Sequence, residues 1–206
     1  NPRLVITRVT GFGQTGPYRN RAGFATIAES MSGLAAISGE PEGQPLLPPI
    51  ALTDELTGIV SAFATMVALH HARATGEGQV VDVSLLESMF GIMSPLASLY
   101  ALTGELQQRM GAGLPYTVPR GTYQCSDGKW VGVSTSADSV AARVLGLLGL
   151  AEDPRFTTFA QRMANRPALE AAMREWCSGR TQAEVIAEFT AADAAIGPVL
   201  DMADIA

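Results

Sequence analysis

Leu4-Val5-Ile6-Thr7-Arg8-Val9-Thr10-Gly11-Phe12-Gly13-Gln14-Thr15-Gly16 begins as a β-branched run and ends in a literal G-x-G-x-x-G. The run predicts a buried strand over residues 4–10, closed by Gly11. In a dinucleotide-binding fold the third glycine would sit in the first turn of an apolar helix packed on that strand. An acidic residue would then end a second strand about 20 residues later. Pro17-Tyr18-Arg19-Asn20-Arg21 follows instead, and no such strand arrives. The glycines therefore read as a tight loop that needs positive φ, not as a nucleotide cradle.

Working outward, residues 25–37 predict a helix with Ile27, Met31 and Leu34 on one face. Residues 38–49 hold four prolines and two glycines, a loop composition. Residues 54–75 predict a long helix whose inward stripe is Ile59, Phe63, Met66, Val67 and His70, stopped by Gly76 and Gly78. A short strand over 79–83 and a second apolar helix over 85–102, interrupted at Pro95, complete this part. Residues 110–121 are rich in Gly and Pro and read equally as a linker or a flap. Residues 122–133 form a hairpin about Asp127-Gly128. Helices follow over 139–148, 167–177 and 181–190, the last begun by the capping box Thr181-Gln182-Ala183-Glu184. The sum is an α/β protein with a smaller α+β tail.

Of 206 residues, 47% are hydrophobic and 17% charged, ample for a folded core. The net charge of −6 sets nucleic-acid binding aside. No window of 18 uninterrupted apolar residues argues for a membrane span, and no leader suggests secretion. Cys125 and Cys177 lack C-x-x-C spacing and suit a reducing cytoplasm. His70 and His71 are adjacent, diverge on a helix and cannot chelate one ion, so no metal is expected. His70 on the apolar stripe reads as a core residue, as do Met31, Met66, Met89, Met93 and Met110. There is no G-x-S-x-G elbow and no signature of a catalytic thiol.

Asp54, in Leu52-Thr53-Asp54-Glu55-Leu56-Thr57-Gly58, stands where the long helix begins. Such a residue ordinarily accepts backbone N–H bonds, and that reading outweighs any other by composition and spacing. The same geometry would suit a carboxylate nucleophile, since the positive end of the helix favours the anion. Thr57 and Gly58 would let a large substrate come close.

Several stretches together resemble the class III CoA-transferase family, of the formyl-CoA and carnitine CoA-transferase type. They are Thr10-Gly11-Phe12-Gly13-Gln14-Thr15-Gly16-Pro17-Tyr18, Ala22-Gly23-Phe24, Met31-Ser32-Gly33, Leu52-Thr53-Asp54 with Thr57-Gly58, and residues 75–86. Pro119-Arg120-Gly121-Thr122-Tyr123, residues 127–131, Asp153-Pro154-Arg155-Phe156 and Gly197-Pro198-Val199 resemble that family's small domain. The resemblance implies part of a Rossmann-like parallel sheet domain over residues 1–103, a linker or flap over 104–121, and a small α+β domain with an antiparallel hairpin over 122–206.

It also implies Asp54 as the catalytic nucleophile, attacking an acyl-CoA thioester and passing CoA to a carboxylic acid. Coenzyme A would then be part of the substrate, with no resident cofactor. Gly111 and Gly113 occupy the place of the family's glycine-rich flap over the substrate. Phe24 stands where the racemase branch (α-methylacyl-CoA racemase) has a histidine, and a phenyl ring cannot carry a proton. Transfer is therefore favoured over α-proton exchange. A non-catalytic subunit or remnant is the alternative of another class. Family members form homodimers, and the match corresponds to an internal portion of their chain, so a longer enzyme is expected.

Overall fold

The computed structural model describes residues 1–93 and 95–206. The chain divides into two compact units, residues 1–109 and 110–206.

In the first unit, β1 (Ile6–Thr10) pairs in parallel with β2 (Val80–Ser84), with Ile6 opposite Val80 and Thr10 opposite Ser84. Between them run α1 (Ala25–Met31), α2 (Leu34–Ile37) and the 24-residue α3 (Leu52–Thr75). After β2 come α4 (Leu85–Ile92) and α5 (Leu96–Thr103). The expected helix over 25–37 is broken, because Gly33 takes φ 96°, a conformation in which glycine has no Cβ penalty. The expected helix over 85–102 runs across Ser94, which lies outside the described residues; on its far side Pro95 caps α5.

Two expectations about burial fail here. β1 is largely solvent-facing, with Ile6 and Val9 exposed, as is Leu4 just before it. More consequentially, α3 turns the other way. Its inward side is a stripe of small and hydroxylated residues at near four-residue spacing: Thr53, Thr57, Ser61, Ala68 and Ala72. Thr65 continues the stripe, its hydroxyl 2.6 Å from that of Thr7 on β1. These small side chains let α3 lie close to β1, β2, α1 and α4. Ile59, Phe63, Met66 and Val67 therefore face outward at 55–73% exposure, and His70 is exposed rather than buried in a core. Length and composition would let α3 cross a membrane, yet its small-residue face is packed on protein. Of the methionines, Met89 and Met93 are buried, whereas Met31 and Met66 are exposed and Met110 is half-buried.

The glycine loop after β1 packs on itself. A Cβ on Gly11 would lie 2.8 Å from the Gly23 Cα, backbone that cannot give way, and one on Gly23 would lie 2.7 Å from the Phe12 ring and displace it. Gly13 and Gly16 take φ of 83° and 82°. The Gln14 N–H donates to Asp82 Oδ2 at 2.7 Å, tying the loop to β2, and no helix begins until Ala25.

In the second unit, β3 (Arg120–Gln124), β4 (Trp130–Ser134) and β5 (Ile196–Pro198) form an antiparallel sheet in that order. The β3–β4 turn is the expected one, with Gly128 at φ 79° and its N–H on Cys125 O at 3.0 Å. The unit also holds helices α6 (Asp138–Leu147), α7 (Phe159–Ala164), α8 (Arg166–Ser178), α9 (Gln182–Ala191) and α10 (Met202–Ile205), of which α8 packs on β3 and α9 on β4 and β5. Tyr123, Val131, Val133, Met173, Val185 and Phe189 meet in its main core. The Thr181–Glu184 box forms, the Glu184 carboxylate accepting from both the Thr181 N–H and hydroxyl at 2.8 Å. Asp153 and Arg155 are explained structurally: Arg155 Nη2 donates to Asp153 at 2.6 Å and holds that carboxyl below its usual range.

Candidate functional site

α3 starts two residues earlier than expected. Ala51 is its N-cap and makes no side-chain cap bond, so Asp54 is the third helical residue, not a capping residue. Its carboxylate is solvent-exposed and accepts no hydrogen bond among the described residues. The first-turn N–H groups and the positive end of a 24-residue helix lie beside it. Gly58, one turn on along the same face, is exposed, and a Cβ there would meet nothing within 4 Å. This face is therefore open to the approach of a bulky group. Thr57 does not share it: the side chain is buried and its hydroxyl donates to Thr53 O at 2.6 Å.

What fixes the start of α3 is a residue that sequence reasoning missed. Glu29 on α1 is buried and accepts a 3.0 Å hydrogen bond from the Thr53 hydroxyl, adjacent in the chain to Asp54. Nothing in the local pattern marks Glu29, because a charged residue two positions from both Ile27 and Met31 falls off the presumed apolar face and reads as surface. Glu29→Ala would leave a buried hydroxyl without its acceptor, a loss of about 1–3 kcal/mol. Native-state hydrogen exchange of the α1 and α3 amides should then quicken by about 5–150-fold. Glu29→Gln, which keeps an acceptor oxygen, should change it far less. Equal exchange in Glu29→Ala and the parent would show that the bond does not anchor α3.

Phe24 is the N-cap residue of α1 and is 77% exposed. It shares the first unit with Asp54, and neither lines either of two cavities found there among the described residues. One, of about 220 Å³, lies under the glycine loop beside Asp82 and Glu87. The other, of about 380 Å³, is apolar and walled by Phe90, Met93, Leu96 and Tyr100.

Gly111 and Gly113 belong to the second unit, in a turn closed by the Gly113 N–H on Met110 O at 2.9 Å. Gly111 takes φ 57°. A Cβ on Gly113 would come within 2.9 Å of Met110 O. Two arginines hold this turn and the segment that follows it. Arg120 donates to Ala112 O, and the mostly buried Arg166 donates to Leu114 O at 2.6 Å and Thr117 O at 3.0 Å. Arg166 carries no motif that would have exposed this role.

Neither cysteine offers a nucleophile. Burial pushes the Cys177 thiol up to about 12 and raises Cys125 as well, so both stay protonated at neutral pH. Among the described residues no three His, Cys, Asp or Glu side chains gather as a metal site.

The whole of this chain, residues 1–206, matches the model of CoA-transferase family III, and the chain belongs to that family. It is 37% identical to the succinyl-CoA–L-malate CoA-transferase beta subunit of Chloroflexus aurantiacus over 209 residues, covering 99% of this chain and 52% of the relative. It is 38% identical to the succinyl-CoA–D-citramalate CoA-transferase of the same organism, covering 85% of this chain and 44% of that one. A crystal structure of a CAIB/BAIF family protein from Brucella suis superposes with a TM-score of 0.82 at 34% identity, over 100% of this chain and 55% of that one. The chain thus spans about half the length of the curated relatives it matches.

Proposed function

We propose that the full-length enzyme carrying this chain moves CoA from an acyl-CoA thioester to a carboxylic acid, with Asp54 as nucleophile. An Asp54 oxygen attacks the thioester carbonyl and expels CoA thiolate, giving an aspartyl–acyl mixed anhydride. The thiolate then attacks the aspartyl carbonyl, releasing the donor acid and leaving an aspartyl-CoA thioester. The acceptor carboxylate repeats these steps in reverse and leaves as the new acyl-CoA, and Asp54 returns as the free carboxylate. Covalent catalysis of this kind divides one difficult exchange into easier ones.

The observation that carries the reading is the exposed Asp54 carboxylate in the first turn of α3, with open space over Gly58. The relatives act on L-malate and D-citramalate, both dicarboxylic acids, which supports a dicarboxylic acceptor here. The outward Ile59, Phe63, Met66 and Val67 support a longer enzyme in which further protein covers α3. The same reading makes it a cytoplasmic homodimer. Gly111 and Gly113 are the flap glycines of that reading, and Phe24 meets substrate without carrying a proton.

The test runs two assays on the full-length enzyme. CoA should move from succinyl-CoA to L-malate, and incubation with a 2-methylacyl-CoA in deuterium oxide should leave the α-position unlabelled. Rapid deuterium uptake with no acceptor acid present would favour the racemase branch and overturn the reading.

A further inference from the structure

Four threonines lie in α3, and Thr57, Thr65 and Thr75 each donate their hydroxyl to the carbonyl four residues back. Thr53 has no helical carbonyl at that place, which falls on Pro49, ahead of the helix. Its hydroxyl donates instead to Glu29 Oε1 on α1, at 3.0 Å. Both partners are buried, Thr53 completely and Glu29 to 3% exposure. Among the described residues this is the one side-chain hydrogen bond that ties the first turn of α3 to another element. Ala51 has no capping side chain that could do the same.

An apolar contact would hold α1 against α3 at a smaller desolvation cost, but it would not fix a rotation. A hydrogen bond prefers one direction, so this one sets how the first turn is turned about the helix axis. The next residue is Asp54, about 100° further round. A carboxylate carried about 5–6 Å from the axis moves by about 1 Å when the turn rotates by about 10°. A displacement of about 1 Å from the reacting carbonyl is enough to slow attack by about 100-fold.

We propose that Glu29 is a positioning residue for the nucleophile: through the Thr53 hydroxyl it sets the rotation of the first turn and so the aim of Asp54. The inference rests on the reading of Asp54 as nucleophile. Glu29 touches no reacting atom in this account and exchanges no proton. It supplies one buried acceptor oxygen. An amide oxygen at the same place would serve, whereas a methyl group would not.

The test follows the rate and the final amount of covalent labelling of Asp54 in the full-length enzyme, with succinyl-CoA as donor and hydroxylamine as the trap. Thr53→Val, which removes the hydroxyl and keeps the shape, should be labelled about 10–100-fold more slowly but to the parent's final amount. Glu29→Ala should behave alike, and the two changes together should be no slower than the slower one alone. Glu29→Gln and Thr53→Ser, which keep the acceptor and the donor, should retain most of the parent's rate. Should Glu29→Ala not fold, Thr53→Val, which leaves no cavity, carries the comparison.

A merely structural role would lower the final amount and leave the rate of the folded remainder unchanged, and that result would overturn the proposal. A loss in Glu29→Gln as large as in Glu29→Ala would overturn it too, as would losses that add in the double variant. Labelling of Asp54 at the parent's rate in Thr53→Val keeps the nucleophile and removes the positioning role. No labelling of Asp54 in a parent that is transferring CoA overturns the nucleophile reading itself, and this inference with it.

Discussion

Asp54→Asn in the full-length enzyme should lower CoA transfer by roughly 10⁴-fold, because an amide oxygen cannot form the anhydride and only binding and positioning remain. Its fold should be untouched. Asp54 is exposed and accepts no hydrogen bond among the described residues, so nothing is lost from packing. Removing one negative charge from the first turn of α3 costs only about 0.3–1 kcal/mol of dipole interaction. Large loss of activity with little loss of stability is therefore the expected signature, read by steady-state assay and thermal melt of the same preparation. A variant within tenfold of the parent in turnover would remove Asp54 from the chemistry.

Phe189→Ala should have the largest effect on stability, about 3–5 kcal/mol. Its side chain is fully buried in the core of the second unit and meets Trp176 edge to face, with ring centroids 5.6 Å apart. Helix α9 packs on both β4 and β5, so the cavity would open beneath the sheet that carries Arg120. The chain's two tryptophans, Trp130 and Trp176, both belong to this unit. Within residues 1–206, tryptophan emission during denaturant unfolding thus reports the second unit and not the first. A loss below 1 kcal/mol would mean that the core has another centre.

The sequence was most informative where local chemistry decides the outcome. The Asp127-Gly128 hairpin and the Thr181–Glu184 box depend on a few adjacent residues and form as expected. The box at Thr158 with Gln161, which opens α7, carries the same signal in Thr158-Phe159-Ala160-Gln161 and could have been read. Periodicity failed on α3 because it assumes that the largest apolar residues face inward. Here the close approach of α3 to β1 selects threonine, serine and alanine, and Ile59 and Phe63 are left outside. The break at Gly33 is a backbone event that apolar spacing cannot register.

The candidate site was legible only in part. Asp54 and its place at a helix start follow from the residues around it, whereas its role came from resemblance to a family. Glu29 and Arg166 depend on contacts between elements distant in the chain. No local pattern contains them.

Covalent trapping tests the central claim most directly. The full-length enzyme is incubated with an acyl-CoA, treated with hydroxylamine or borohydride and digested, and its peptides are weighed by mass spectrometry. The hydroxamate or reduced residue should fall on the peptide containing Asp54 and vanish in Asp54→Asn. A stable mark on any other carboxylate, or none under conditions of active CoA transfer, would contradict the account.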